Sequence, residues 1–323
     1  MKNAIVFGGA GFIGTHLLRR LAATGEYGRL VSVDMAPPAE PVEGVDYHSH
    51  DLRRPVPDSV GTDFAQAYNL AAVHRTPGHE PHEYYETNVG GAVEICDFAR
   101  RNGVPVLVFT SSIAIYGPGE DLKSETTNPT PTSDYGRSKL LAERVHREWQ
   151  ASGEGRRLVV ARPAVIFGKG ERGNFTRLAA TLRKGVFVYP GRKDTIKSCG
   201  YVGELVETMR FAVAREEPSI LYNFCYPHAY TIEEICQAFE RVAQLPAPRG
   251  LIPQSLMNGA AMPFEMLDKV GLRNSINRER IAKLVLSTRV EPGWLNAAGY
   301  RFDTDLDEAI RRWKADNRAG ELV

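Results

Sequence analysis

The sequence predicts an α/β fold, a doubly wound parallel sheet with a smaller, mostly helical C-terminal lobe. Three observations predict it. Short β-branched runs alternate with amphipathic helical stretches from residue 2 to about 167. Those runs are apolar almost throughout, as strands buried on both faces require. After "FGKGERGN" (167–174) the alternation breaks into a basic, glycine-containing stretch followed by helices and a long irregular section.

Taken in order, the strands are expected at "NAIVFG" (3–8), "RLVSVD" (29–34), "VDYHSH" (45–50), "QAYNLAA" (66–72), "VLVFTSS" (106–112) and "RLVVARP" (157–163). Between them lie the helical stretches "FIGTHLLRRLAATG", "YYETNVGGAVEICDFARRNG" and "DYGRSKLLAERVHREWQASG". Parallel neighbours require right-handed crossovers. The first unit is expected over 1–167 and the substrate lobe over 168–323, with elements from about 198–222 packing back on the first unit. Helices near 202–215 and 304–316 are both expected against that first unit, and 245–263 is expected to be irregular.

Composition narrows the function classes. A chain of 323 residues with 43% hydrophobic and 24% charged residues is ordinary for a soluble globular protein. A formal net charge of +1 gives no reason to expect nucleic acid or an anionic membrane as a partner. The longest apolar runs, such as "VPVLVF" (104–109), are far too short to span a bilayer. The start "MKNAIVFGGAGFIG" reads as a strand entering glycines, without a signal-peptide cleavage pattern. Cys96, Cys199, Cys225 and Cys236 are scattered with no C-x-x-C, which fits buried thiols in a reducing cytoplasm.

"IVFGGAGFIG" sets Gly8, Gly9, Gly11 and Gly14 between the first strand and the first helix. Glycines at this spacing allow the tight turn, the close approach of backbone to a pyrophosphate, and tight helix–strand packing. The diphosphate would sit on the helix N-terminus, where free N–H groups and the dipole favour negative charge. Gly8, Gly11, Phe12, Ile13 and Gly14 are therefore the expected dinucleotide contacts. Asp34 lies twenty residues past Gly14 at the end of the next strand, the context this Rossmann fingerprint requires. A carboxylate there accepts from the ribose hydroxyls and repels a 2′-phosphate, and the following Met35, Ala36 and two prolines offer no arginine. NAD is the expected cofactor. Asp51 and Leu52, ending the third strand, are placed to hold the adenine amino group; a helix cap is the other reading of Asp51.

In "YGRSK" (135–139), Tyr135 and Lys139 stand four apart and share one helix face. With the fingerprint, Asp34, "NLAAVH" and this pair together, the chain resembles the extended short-chain dehydrogenase/reductase family. Within it, the chain is similar to the NAD-dependent epimerase/dehydratase group that acts on nucleotide sugars. The resemblance runs from Met1 to about residue 205 and is loose beyond. It implies that Ser112 in "FTSSIAIYG" is the catalytic hydroxyl and that Tyr135 and Lys139 are the catalytic pair, with Ser111 structural. It also implies that "NLAA" (69–72), hence Leu70, Ala71 and Ala72, lines the nicotinamide half of the site, that Asn88 positions the lysine through water, and that Pro163 lies near the nicotinamide.

The physical chemistry agrees with that implication. A free tyrosine, pKa about 10, is a poor base at neutral pH. A lysine ammonium one turn away and a positive nicotinamide ring both favour the phenolate. Lys139 is also expected to hydrogen-bond the nicotinamide ribose, and Ser112 to fix the reacting oxygen near Tyr135.

One departure narrows the chemistry. Family dehydratases carry an Asp–Glu pair directly after the catalytic hydroxyl residue, where this chain has Ile113 and Ala114. Neither is an acid or a base, so 4,6-dehydration is disfavoured, and the glutamate usual in the decarboxylase branch is missing too. Two reactions stay open: epimerisation, in which Tyr135 and NAD oxidise C4 to a ketone and the same hydride returns to the other face, and NAD(P)H-dependent reduction of a 4-keto nucleotide sugar or another small ketone. The NAD signature of Asp34 leans toward epimerisation.

For the nucleotide diphosphate, Asn174 matches the family's substrate-binding asparagine, and Arg192, Lys197, Arg278 and Arg280 offer cations. His74 and Arg75 are placed to reach the sugar pocket. His74, His79 and His82, spaced by five and three with prolines between, do not share a helix face, and no metal is expected. His48 and His50 are read as packing or edge groups on the third strand. Family members usually dimerise through the two helices that carry Asn88 and Tyr135, so a cytoplasmic homodimer is expected.

Overall fold

The computed structural model describes residues 1–75, 78–257, 285–317 and 321–322. Its centre is a seven-stranded, wholly parallel sheet. The chain enters with β1 (Lys2–Phe7), whose last four residues are fully buried, and turns through the glycine loop into α1 (Phe12–Thr24). Leu17, Leu18 and Leu21 of α1 are all fully buried against the sheet, each worth roughly 1.5–3 kcal/mol of transfer free energy. Gly25, at φ +67°, closes the helix in the left-handed region that favours glycine. Then follow β2 (Tyr27–Asp34), β3 (Val45–Ser49) and β4 (Gln66–Asn69).

The second half starts with α2 (Pro81–Tyr85), a π-helical turn at Glu86–Gly90 and α3 (Gly91–Arg101), leading to β5 (Val106–Thr110). A 3-10 turn (Ile113–Tyr116), the short β6 (Gly119–Lys123), α4 (Asp134–Ala151) and β7 (Arg157–Pro163) come next. Beyond lie β8 (Val165–Phe167), α5 (Asn174–Arg183), β9 (Tyr189–Pro190), β10 (Cys199–Tyr201), α6 (Val202–Val213) and β11 (Ser219–Phe224). The described residues end with α7 (Ile232–Ala243), β12 (Leu251–Ile252), β13 (Thr288–Val290), α8 (Gly293–Ala297) and α9 (Leu306–Ala315).

The strand order is β11-β7-β5-β4-β1-β2-β3. The order reverses between β1 and β4, so the loops after these two strands diverge and open the crevice where such sheets bind ligands. Two apolar layers cover the sheet. One gathers Phe7, Val31, Phe98, Phe109 and Trp149; the other gathers Leu17, Tyr68, Leu205, Met209 and Tyr222. A third cluster, with Phe167, Phe175, Tyr201, Phe239 and Trp313, makes the core of the C-terminal part. Two short parallel pairs, β8 with β10 and β6 with β13, join this part to segments that leave the sheet's carboxyl edge, and a third, β9 with β12, lies within it.

Several expectations need correction. The stretch read as one helix from Tyr84 begins earlier, at Pro81, and widens into a π turn over Glu86–Gly90 before continuing as α3. The fourth and fifth strands stop at Asn69 and Thr110, short of 72 and 112. There the backbone leaves the sheet: Leu70 N still donates to Phe7 O at 2.8 Å, but Ser112 already caps the 3-10 turn. Helix α6 packs on the sheet as expected, through Leu205, Val206 and Met209. Helix α9 does not; Ile310 and Trp313 bury it in the C-terminal core, with the Trp313 ring 6.4 Å from Phe239 of α7. All four cysteines are free and buried.

Candidate active site

The glycine loop is shaped by steric necessity. Gly8 has φ +81°, and a side chain there would meet the Ala71 backbone N at 2.6 Å. A Cβ on Gly14 would lie 2.2 Å from Gly8 O and 2.6 Å from Gly9 Cα. The loop thus folds onto both the helix and the strand after it, leaving the start of α1 open. That start has Gly11 as N-cap, no side-chain cap and no acidic residue in its first turn. Its first amides, at Phe12 and Ile13 among them, lack intrahelical partners, which suits a diphosphate. Asp34 faces the same loop: Oδ2 accepts from Ala10 N at 3.2 Å and Oδ1 from Ala36 N at 3.1 Å. An uncapped helix, a cradle that a Cβ would fill and a carboxylate beside it fit an adenine dinucleotide with a free ribose 2′-hydroxyl.

Asp51 is held by its neighbour. The Arg53 guanidinium forks onto both carboxylate oxygens at 2.8–3.1 Å and brings its pKa down to about 2. Leu52 is buried beside Gly91 of α3. Leu70, Ala71 and Ala72 form the segment that leaves β4 alongside the glycine loop.

Across the crevice, α4 starts at Ser133, whose hydroxyl accepts from Gly136 N at 3.1 Å. Such a cap fixes the first turn. The spacing of four then stacks Tyr135 and Lys139 on the face toward β5. Lys139 is 1% exposed, and its Nζ donates to Thr110 O at 2.7 Å and lies 4.8 Å from the centre of the Phe109 ring. Ser112 stands two residues beyond that carbonyl. Its Oγ accepts from Ala114 N at 3.1 Å, and its hydroxyl is near enough to the Tyr135 phenol to act on its pKa. Ser112, Tyr135 and Lys139 therefore meet at the carboxyl end of β5.

The electrostatics differ from the simplest expectation. Burial holds the Tyr135 phenol above its ordinary pKa, and the neighbouring Ser112 hydroxyl opposes that shift without reversing it. Burial also brings the Lys139 ammonium down to about 7, with the Glu143 carboxylate pulling upward. In the protein alone the lysine serves Thr110 and does not depress the tyrosine. The expected lowering needs a further positive charge in the cleft.

Asn88, expected to position Lys139 through water, clamps the loop after β4, its side chain accepting from Val73 N at 2.9 Å and donating to Val73 O at 3.0 Å. It also donates to Ser138 Oγ at 2.9 Å, so it reaches α4 beside the lysine rather than at it. Sequence reading missed Ser138 and the Thr110 carbonyl; Ser138 lies inside "YGRSK", but nothing in a sequence marks a backbone oxygen as a lysine partner.

Pro163 ends β7 beside the site. His74 is exposed in the loop after β4, and partial desolvation, with smaller effects that include the Lys139 charge, lowers its pKa. Asn174 is exposed at the first turn of α5. Arg192 is committed to two carboxylates, Glu120 at 3.0 Å and Asp194 at 2.6 Å. Lys197, brought down to about 8 by burial, donates to Leu286 O at 2.8 Å. Arg278 and Arg280 lie outside the described residues. His79 pairs with Glu83 at 3.3 Å, and no group of three metal-ligating side chains occurs among the described residues.

A parallel sheet with a dinucleotide crevice and a Ser–Tyr–Lys cluster at its mouth defines a class, the nicotinamide-dependent enzymes that move hydride at a carbinol carbon. Residues 4–225 match the model of the NAD dependent epimerase/dehydratase family, and the chain belongs to that family. It is 27% identical over 96% of its length, and 93% of the relative's, to the N-acetyl-alpha-D-glucosaminyl-diphospho-ditrans,octacis-undecaprenol 4-epimerase of Escherichia coli O157:H7. It is also 27% identical to the UDP-glucose 4-epimerase of Azospirillum brasilense, over 76% of this chain and 79% of that one. Among solved structures, the UDP-N-acetylglucosamine 4-epimerase of Methanobrevibacter ruminantium M1 superposes with a TM-score of 0.77 at 19% identity, covering 97% of this chain and 96% of that one. The UDP-glucose 4-epimerase of Thermus thermophilus, solved with NAD, gives 0.73 at 23% identity over 96% and 97%.

Proposed function

We propose that this protein is an NAD-dependent 4-epimerase of a sugar carrying a diphosphate at C1, with a nucleotide sugar as its substrate. The observation that carries the reading is the meeting of Ser112, Tyr135 and Lys139 at one strand end, with Ile113 and Ala114 where an eliminating acid would have to stand. Gly8, Gly11, Phe12, Ile13, Gly14, Asp34, Asp51 and Leu52 hold the adenosine and diphosphate half of NAD; Leu70, Ala71, Ala72, Asn88 and Pro163 shape the nicotinamide half.

When bound, oxidised NAD supplies the hydride acceptor at C4, later the donor, and a positive ring that favours the phenolate. Tyr135 takes the proton from the C4 hydroxyl as the C4–H bond breaks, leaving a 4-keto sugar. The ketone turns over in the pocket. Tyr135 then returns the proton to the oxygen as the C4–H bond re-forms on the opposite face. Ser112 holds the reacting oxygen through both halves, and the positive ring, with the Lys139 ammonium one turn away, favours the phenolate. Atoms and charge balance over the cycle, so no external reductant is consumed. Substrate contacts fall to His74, Asn174 and Arg192, the last only if it exchanges Glu120 or Asp194 for phosphate oxygens.

A second reading replaces the nucleoside with a polyprenyl group. It is favoured by the Escherichia coli relative, which matches over most of both chains. Purified protein given UDP-sugars, GDP-sugars and polyprenyl-diphosphate sugars, without added cofactor, tests both. Epimer formation on a nucleotide sugar supports the first reading, and on the polyprenyl substrates alone the second. Strict dependence on added NADH or NADPH rejects both in favour of a ketoreductase.

The cofactor unit is assigned to 1–167, with 198–222 returning to it and the substrate lobe over 168–323. No helix among the described residues is long and apolar enough to cross a membrane. Four free, buried thiols suit a reducing compartment, and the protein is assigned to the cytoplasm. Val93 on α3 and Leu141 on α4 are exposed apolar side chains on the two helices expected to form a homodimer interface. Light scattering is expected to give twice the 35.8 kDa chain mass; a monomer mass rejects the dimer.

A further inference from the structure

Behind the Tyr135–Lys139 pair lies a buried set of charges that the chemistry above leaves unused. Glu143, one turn beyond Lys139 on α4, is 0% exposed, and Arg162 on β7 is 2% exposed. The Arg162 fork grips the carboxylate, Nε to Oε1 at 2.8 Å and Nη2 to Oε2 at 2.7 Å. Its remaining arm, Nη1, donates to the Tyr116 phenol oxygen at 2.7 Å. Tyr116 closes the 3-10 turn that Ser112 caps, and its hydroxyl donates onward to Asn223 Oδ1 of β11 at 2.9 Å. One guanidinium therefore ties the helix of Tyr135 and Lys139 to the turn of Ser112.

Stability alone is a poor explanation for such a pair. Desolvating both charges costs about as much as their attraction returns, and apolar replacements are often neutral or better. What a forked, fully desolvated pair gives is fixed geometry. Its charge also has a direction, since Glu143 is the carboxylate that opposes the effect of burial on Lys139. The other titratable groups near Lys139 are Tyr135, His146 on the same helix and His74 across the cleft. His146 is held neutral by burial, with its pKa brought down to about 4. Arg147 also reaches Glu143, at 3.2 Å.

We propose that Glu143 and Arg162 are positioning residues, a buried forked pair that sets Tyr135 and Lys139 against Ser112 and keeps a carboxylate behind the lysine ammonium. The proposal rests on the Tyr135–Lys139 reading above. Its test is the double variant Glu143→Leu/Arg162→Met, which removes both charges together, alongside Arg162→Lys and Glu143→Gln. Three quantities are read: thermal unfolding, kcat and KM for epimerisation, and the titration midpoint of the Lys139 side-chain carbon resonance, assigned by its loss in Lys139→Met.

The double variant is expected to keep the wild-type unfolding temperature and KM, to lose about 10²-fold in kcat, and to titrate Lys139 at lower pH than wild type. Arg162→Lys, which keeps the charge but not the fork, is expected to lose kcat with the midpoint unmoved. Glu143→Gln is expected to move the midpoint down. Wild-type kcat in a folded double variant overturns the proposal whatever the resonance does. Should the double variant not fold, wild-type kcat in Arg162→Lys overturns it equally. A wild-type protein inactive on every sugar would instead defeat the epimerase reading, and the Lys139 midpoints would still test the pair.

Discussion

Tyr135→Phe is expected to lower kcat by about 10²- to 10⁴-fold, the usual contribution of a positioned acid–base group, with the fold and the bound NAD retained. The substitution removes one oxygen, which the Ser112 side chain acts on. The ring keeps its packing, including the tilted contact with Tyr84 at 6.5 Å. No neighbouring hydroxyl can replace it: Ser112 lacks a base, and the Lys139 ammonium points at Thr110 O. Steady-state kinetics with a measured cofactor content decides the matter. A loss below tenfold would mean that the proton leaves by another route.

Gly14→Ala is expected to remove cofactor binding and to destabilise the fold. The new methyl would stand 2.2 Å from Gly8 O and 2.6 Å from Gly9 Cα, and both obstacles are backbone. Either the helix start moves off the loop or the loop opens, and either change displaces the amides that face the diphosphate. Overpacking of this kind costs about 1–3 kcal/mol, to which the lost binding energy of NAD adds. Differential scanning with and without NAD reads both parts. An unchanged melting temperature together with an unchanged shift on adding NAD would contradict the account.

The sheet and its ligand crevice were legible because their signals are local. The five central strands announce themselves as apolar runs, and the loop between β1 and α1 as glycines at fixed spacing. That Tyr135 and Lys139 share a helix face follows from helical periodicity, while their role as a catalytic pair comes from the family resemblance. What escaped reading is set by contacts across the chain. Most strands of the short C-terminal pairs, two or three residues each, carry too few residues to show a period of two. Nor does any local pattern show that Asn88, in the π turn at Glu86–Gly90, bonds the Val73 backbone fifteen residues earlier. The direction of the Tyr135 shift depends on burial, which no spacing reveals. Glu143 and Arg162 look like a solvated helix residue and a strand-end cation until the fold brings their side chains together.

The central claim is that hydride leaves C4 and returns to the same carbon while Tyr135 shuttles the hydroxyl proton. Substrate deuterated at C4, incubated with the protein and no free cofactor, tests it most directly. The account predicts epimerised product that retains the label at C4, with no exchange against solvent. Loss of deuterium to water, or product formed only when reduced cofactor is added, would contradict it.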